Sequence, residues 1–294
     1  MKNSRHSSLR GWRAASAGML AVALWALAGS ASAQIATTRH NLGTSGTQAN
    51  HVTAGTAEVC VFCHTPHGAD VTTPNAPPLW NKRLATGATY TTYAVLNTPS
   101  LDGEILPVGS ISVACLSCHD GTQAMDNIIN APGSGGYDVT GGGTNGLGYT
   151  WIGNVTAEGL MNATTVANLG TNLSNDHPIG IQYCGGGLTG ATTVVSGTCR
   201  DTDFNRVGVR TASINSNQVF WVETGTADTV KTRTDLPLYT RTFASATGPS
   251  VECGTCHDPH VSDGQAGPNG QVAGATFLRI SNASSAVCTT CHVK

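Results

Sequence analysis

The sequence predicts a mostly irregular backbone with low secondary-structure content, short helices at four Cys-x-x-Cys-His segments and a few short strands in the middle of the chain. Two observations predict this fold. Charged residues make up 11% and aromatic residues 5% of the 294 residues, so few large side chains are available to build a core. Eight of the ten cysteines fall into the four repeated segments, which predict large apolar bound groups that fill the interior instead.

The N-terminal residues have the pattern of an export signal. Basic residues precede an apolar run from about Met19 to Ala28, and small residues occupy positions 31–33. We predict a signal peptide over residues 1–33 and a mature chain that begins at Gln34. The apolar run is too short to span a bilayer comfortably and no second run is longer, so we expect no membrane span in the mature chain. The net charge of −2 argues against nucleic acid as a partner.

The four repeated segments have the signature of c-type haem attachment. Two thiols about one helical turn apart can bind the two vinyl groups on one edge of a porphyrin, and the adjacent histidine is then placed under the ring as the proximal iron ligand. We therefore predict four covalently attached c-type haems. The cofactor-binding cysteines and proximal histidines are Cys60, Cys63 and His64; Cys115, Cys118 and His119; Cys253, Cys256 and His257; and Cys288, Cys291 and His292.

Two other kinds of site, zinc sites and redox-active dithiols, also use paired cysteines and are alternative interpretations of the motif. A single Cys-x-x-Cys-His segment could be half of a zinc site or a redox-active dithiol. Zinc sites pair such segments at short spacing, and thioredoxin-like dithiols lie in a βαβ unit. Neither pattern is present in this sequence, and all four copies carry the histidine directly after the second cysteine.

The histidine count predicts the second axial ligand of each iron. Ten histidines, less His6 in the predicted signal peptide and the four proximal ones, leave five. Five histidines for four irons predict bis-histidine ligation throughout. The only methionines of the mature chain are Met125 and Met161, so methionine could ligate two haems at most. The five remaining histidines are His40, His51, His67, His177 and His260.

Position along the chain selects among these five. His67 and His260 each lie three residues beyond a proximal histidine, too close to reach the opposite face of the same haem, so each is predicted to ligate a neighbouring haem. His177 is isolated in a haem-free stretch, and the ligand count favours it over a surface role. His40 and His51 compete for the last place, and we favour His40.

The motifs divide the mature chain into three parts. An N-terminal haem pair occupies residues 34–121, a haem-free stretch rich in Gly and Thr occupies 122–250, and a C-terminal haem pair occupies 251–294. Cys184 and Cys199 lie in the middle part without an adjacent histidine. Because the chain is predicted to be exported, a disulfide that closes this loop is favoured over a metal or catalytic role.

Several segments extend the similarity to known cytochromes beyond the bare motif. They are Cys60-Val-Phe-Cys-His-Thr-Pro-His-Gly68, Pro78-Leu-Trp-Asn81, Cys115-Leu-Ser-Cys-His-Asp-Gly-Thr122, Asp176-His-Pro178 and Cys253-Gly-Thr-Cys-His-Asp-Pro-His260. In them the chain resembles the OmcE-type tetrahaem cytochromes, outer-surface proteins that polymerise into extracellular nanowires. The resemblance implies bis-histidine haems in a continuous stack and an N-terminal histidine that enters the next subunit. It does not extend to the stretch around Cys184 and Cys199.

These features predict an electron conduit. We expect an exported protein, extracellular or at the cell surface, that polymerises head to tail and exchanges electrons with redox protein partners or extracellular acceptors. A surface so poor in charge gives little electrostatic protection against self-association. In the head-to-tail contact, His40 is expected to ligate a haem of the next subunit. A monomeric periplasmic shuttle is the alternative. An enzyme such as a multihaem reductase is disfavoured, because catalysis at haem iron needs an open axial position.

Overall fold

The strands of this chain are concentrated in its second half. The computed structural model describes residues 34–48, 50–73, 77–83, 89–133, 136–138, 146–191, 194–225, 230–261 and 277–293. The predicted signal peptide, residues 1–33, lies outside the described residues, and Gln34–Lys294 forms one compact unit. Over the described ranges, no helix is long and apolar enough to cross a membrane.

A five-stranded antiparallel sheet is the largest regular element. Its strand order is β3-β9-β8-β7-β6, so four consecutive strands form a meander and β3 adds to the edge beside β9. Two smaller sheets pair β1 with β2 and β4 with β5. The strands are β1 His51–Ala54, β2 Thr150–Ile152, β3 Ile181–Gln182, β4 Leu188–Ala191, β5 Val194–Gly197, β6 Val209–Ile214, β7 Asn217–Val222, β8 Leu236–Thr242 and β9 Thr247–Val251.

The turn between β6 and β7 shows why this sheet forms. Asn215 and Ser216 both have positive φ angles, 50° and 63°, as the two central residues of a tight hairpin require, and the register pairs Ile214 with Asn217. The strands that follow are rich in β-branched and aromatic residues, which favour a pleated, half-buried surface. Phe220 and Val222 are buried on the covered side of the sheet.

The prediction of a mostly irregular fold with low secondary-structure content is wrong. The described residues form nine strands in three sheets, and five of these strands make a single antiparallel sheet. The error has a physical reason. Most strands are only two to seven residues long and carry Thr, Ser and Gly among their apolar residues, so a low content of large side chains hid a regular hydrogen-bonded sheet.

Three short α-helices lie at Cys-x-x-Cys-His motifs. Helix α1 spans Ser110–His119, α2 spans Cys253–Cys256 and α3 spans Ala286–Cys291. Each helix contains both cysteines of one motif. Single 3-10 turns occur at Gln34–Thr37, Tyr93–Leu96, Tyr183–Gly185 and Ala283–Ser285.

The buried apolar residues form three clusters, which we name by their place. The sheet cluster consists of Tyr183, Cys184, Leu188, Val209, Phe220, Val222, Leu236, Leu238, Val251 and Ile280. The α1 cluster consists of Trp80, Tyr90, Val108, Val113, Ala114, Leu116 and Leu173. The first-motif cluster consists of Leu42, Val52, Val61, Phe62, Met125 and Ile128. Motif cysteines pack at the edge of all three clusters, so the motifs border each part of the core.

The predicted disulfide between Cys184 and Cys199 is confirmed. Their Cα atoms lie 5.1 Å apart, and 15 residues separate them in sequence. The bridge encloses the β4–β5 hairpin, and Cys184 is fully buried in the sheet cluster. The disulfide thus fixes this hairpin to the sheet.

Candidate haem-binding site

All four motifs share one turn of backbone. The amide of His64 donates a hydrogen bond to the carbonyl of Cys60 at 2.7 Å, and His257 and His292 make the equivalent bonds to the first cysteines of their motifs at 3.1 and 2.8 Å. In the second motif the same residues form the last turn of α1. One helical turn places residues three apart on the same side, so both thiols of each motif face the same way.

Two histidine pairs have the spacing that a bis-histidine haem requires. The ring centres of His40 and His119 lie 6.2 Å apart, and those of His64 and His260 lie 6.1 Å apart. An imidazole nitrogen binds a transition metal at about 2.0–2.1 Å, so two imidazoles on opposite sides of one iron have ring centres about 6 Å apart. The residues present therefore fit a haem iron between each pair.

Hydrogen bonds set the tautomer of two predicted proximal histidines, His64 and His119. Nδ1 of His64 lies 3.0 Å from the carbonyl oxygen of Pro78, and Nδ1 of His119 lies 2.8 Å from that of Ala167. A carbonyl can only accept, so each Nδ1 carries the proton and leaves Nε2 free to bind a metal. Nδ1 of His260 lies 3.2 Å from the carboxylate of Asp258, the other common partner of a ligating histidine.

The ring of His40 is buried beside Phe277 and His119. It stacks on Phe277 with centres 4.2 Å apart, and among the described residues its buried Nδ1 has no hydrogen-bond partner. Burial and the nearby His119 lower the pKa of His40 to about 4. The ring is therefore neutral at neutral pH, which is the form that ligates iron.

His40 lies beside His119 of its own chain. The segment that carries His40 is anchored by Asn41, whose buried side-chain amide donates to the carbonyl of Ala36 at 2.8 Å. Ligation of a haem of the next subunit by His40 stays a prediction. Of the two competing histidines, His51 is the one without a histidine partner among the described residues, and its Nδ1 bonds to the carbonyl of Gln48.

The other predicted second ligands are less well placed. His67 and His177 are exposed, and among the described residues neither ring contacts another histidine or aromatic ring. Nδ1 of His177 lies 3.0 Å from the carbonyl of Pro178. The structure thus brings two of the four predicted second ligands to a proximal histidine and leaves these two at the surface.

Consecutive motifs are neighbours in space. Burial raises the pKa of the Cys63 thiol to about 12, and the nearby Cys118 adds to the effect. The thiols of Cys115 and Cys253 lie within hydrogen-bonding distance. Burial also raises the pKa of Cys291 to about 12, and here the neighbouring thiol is that of Cys256, in the third motif. The first motif therefore meets the second, the second the third, and the third the fourth.

A buried charged cluster joins the second and third motifs. Glu252, just before α2, accepts hydrogen bonds from Ser112 of α1 at 2.5 Å and from Arg241 of β8 at 2.9 Å. Ser112 in turn accepts a hydrogen bond from the amide of Cys253 at 3.0 Å. Glu252 and Thr255 also cap α2 reciprocally. These bonds fix the distance between α1 and α2, and with it the distance between the two motifs.

Several contacts at the site carry no clear sequence signal. Phe277 stacks on His40, and the ring of Phe204 lies 4.4 Å from that of His292. Trp80 packs edge-on against His64 at 5.6 Å. Only Trp80, in the segment Pro78-Leu-Trp-Asn81 quoted above, could have been singled out beforehand. The two phenylalanines are far in sequence from the histidines that they contact, so only the fold brings them together.

The two methionines that could ligate a haem in place of histidine are both buried. Met125 and Met161 are buried at 2% and 7% exposure, and Met125 belongs to the first-motif cluster. Within the described residues, no group of three or more His, Cys, Asp or Glu side chains is arranged to hold a metal ion. A haem iron needs only two protein ligands, because the porphyrin supplies the other four.

Comparison with known proteins adds no family. No family model matches the chain, and no curated protein matches it significantly.

Proposed function

We propose that this protein is a c-type cytochrome that binds four haems covalently and transfers electrons along them. The observation that carries the proposal is the pair of histidine–histidine separations near 6 Å at two of the four Cys-x-x-Cys-His motifs. The hydrogen bonds from Nδ1 of His64 and His119 to backbone carbonyls support it, because they leave Nε2 available to the iron.

The residues divide into attachment and ligation. The eight motif cysteines would form the thioether bonds, and the four motif histidines would be the proximal ligands. His260 is the second ligand that fits the first haem, and His40 fits the second. His67 and His177 remain the candidates for the third and fourth haems. Bound at these positions, haem supplies an iron that accepts and releases one electron.

The rest of the chain positions these residues and excludes water. Phe277 covers His40, Trp80 covers His64 and Phe204 covers His292. The Ser112–Glu252–Arg241 cluster holds the second and third motifs at a fixed separation. Because consecutive motifs are neighbours, each haem would lie close to the one that follows it in sequence, which suits stepwise electron transfer.

A polymeric filament is the form in which we propose that this electron transfer takes place, with the chain exported to the cell surface or beyond. Support comes from the low charge content and from the resemblance to OmcE-type cytochromes. In this proposal His40 ligates the second haem of its own chain, and the intersubunit ligand is left unassigned. A monomeric periplasmic shuttle remains the alternative, and negative-stain electron microscopy of the secreted protein distinguishes the two.

Substitution of the paired histidines tests the ligation. His260→Ala and His40→Ala should each convert one low-spin haem to high-spin while all four haems stay attached, as measured by electron paramagnetic resonance and by haem quantification. His51→Ala is the matched control, because His51 lies outside both pairs. If His260→Ala and His40→Ala leave every haem low-spin, or if His51→Ala produces the high-spin signal, this assignment fails.

A further inference from the structure

Lys82 is a buried lysine that contacts no carboxylate among the described residues. It is 0% exposed, and its Nζ donates to the carbonyl oxygens of Ala124 at 2.8 Å, Asn127 at 3.1 Å and Met125 at 3.4 Å. An ammonium group has three donors, and three carbonyl acceptors match them. Within the described residues no ion pair involves Lys82.

The carboxylate nearest in sequence to these three carbonyls accepts a hydrogen bond from another group. Asp126 lies on the same loop, but its Oδ2 accepts a hydrogen bond from the backbone amide of Tyr149 at 3.1 Å. Backbone carbonyls are dipoles and carry no net charge. These carbonyls therefore satisfy the hydrogen bonds of Lys82, and no carboxylate of the described residues contacts it directly, although Asp126 on the same loop is itself buried at 1% exposure.

Lys82 lies beside the first motif. The amide of Asn81, the residue before it, donates to the carbonyl of Cys63 at 2.9 Å, and Trp80 forms an antiparallel bridge with His64. Met125, one of the three carbonyl partners, packs in the first-motif cluster with Phe62 and Cys63. The ammonium is thus held against the attachment site of the first haem.

We propose that Lys82 is a fixed positive charge that raises the reduction potential of the haem attached to Cys60 and Cys63. This inference rests on the proposed function, since it requires a haem at that motif. Reduction of ferric to ferrous haem adds one electron, supplied by a neighbouring haem or an external reductant. A buried cation stabilises the reduced form, and a low-dielectric interior strengthens the effect. Lys82 thereby makes the first haem a better electron acceptor than it would be with a neutral residue at position 82.

The test compares variants of the haem-loaded chain in a spectroelectrochemical redox titration. Lys82→Met and Lys82→Gln should each shift one of the four one-electron components to lower potential, whereas Lys82→Arg, which keeps the charge, should shift it much less. A variant with both Cys60 and Cys63 replaced by Ala lacks the first haem and identifies which component belongs to it. Arg200→Gln is the matched control, because it removes one positive charge at an exposed position directly after the disulfide-bonded Cys199.

The outcomes separate this inference from the proposed function. If the wild-type chain carries no haem, the proposed function fails. If both neutral variants keep four low-spin haems and their potentials match the wild type, the role of Lys82 is overturned while the proposed function stands. The same holds if the shifted component is still present in the variant without Cys60 and Cys63. If neither neutral variant assembles its haems, Lys82 is a structural residue and the inference is likewise overturned.

Discussion

The two halves of the chain bury their charges in different ways. Around the first two motifs regular structure is scarce, and the buried ammonium of Lys82 is held by three backbone carbonyls. In the sheet region backbone groups are already paired between strands, and the buried carboxylate of Glu252 is held by the side chains of Arg241, Ser112 and Ser250. In loops, free backbone carbonyls can therefore accept hydrogen bonds from a buried charged group. In a sheet the backbone groups are already paired, so side chains bind the buried charge instead.

The same difference extends to the apolar core. The sheet cluster packs strands against each other and needs little from the motifs, although Cys291 contacts its edge. The two clusters of the first half are built around motif residues, including Phe62 and Leu116, with Cys63 and Cys118 packed against them. We therefore expect the first half to depend on haem attachment for its order and the sheet to depend on it much less.

The largest expected effect comes from removing the haems. With all eight motif cysteines replaced by Ala and the disulfide kept, hydrogen exchange should show lost protection at 61–65 and 110–119, because the apolar plates around which they pack are gone. Amides of β6–β9 should remain protected. Uniform loss of protection over both halves would show that the sheet has no independent stability and that the two halves depend equally on haem attachment.

Breaking the charged cluster at the junction should have the next largest effect. Glu252→Ala leaves Arg241 with an unpaired, mostly buried charge, and removing one partner of a buried ion pair costs about 3–5 kcal/mol. Denaturant unfolding measures the loss. Glu58→Ala removes an exposed carboxylate and should change the free energy of unfolding by less than about 0.5 kcal/mol. Equal effects of the two variants would mean that the cluster does not hold the second and third motifs together.

Replacing the disulfide should destabilise the sheet region alone. Cys184→Ser with Cys199→Ser opens a loop with a sequence separation of 15, and closing such a loop contributes about 3 kcal/mol to stability. The four haems should remain attached, as haem quantification will show. Loss of a haem in this variant would mean that the hairpin supports one of the motifs as well as the sheet region.

The sequence predicted the local structure of this molecule better than its architecture. Short helices were predicted at all four motifs and form at Cys115, Cys253 and Cys288, because a local hydrogen-bonding pattern depends on local sequence. The first motif forms a turn instead of a helix. The sequence predicted only a few short strands in the middle of the chain. The sheet was missed because its pairing is non-local and its Thr- and Ser-rich strands lack a strong alternation of apolar residues. The pairing of His64 with His260, almost two hundred residues apart, likewise depends on the fold.

The smallest predicted effect concerns a partly exposed pair in the first half. Burial opposes ionisation of Asp70, but hydrogen bonds from Thr73 and Thr72 and the nearby Arg83 outweigh it and hold the pKa of Asp70 below its usual value. Asp70→Asn should therefore cost about 1–2 kcal/mol at neutral pH. A depressed carboxyl pKa stabilises the fold above the unfolded value of about 3.9, so this difference should vanish as the pH falls through the lower folded pKa. A difference that persists at the acidic end of a pH series of unfolding curves would contradict the role of the charge.

The haem content and ligation of the purified protein test the central claim most directly. Intact-mass spectrometry with a pyridine haemochrome assay counts the covalently bound haems, and electron paramagnetic resonance on the same sample reports their spin state. The four motifs and the histidine pairs predict four haems per chain, all low-spin. A chain exported without covalent haem, or with motif cysteines joined in disulfides or bound to zinc, would contradict the account.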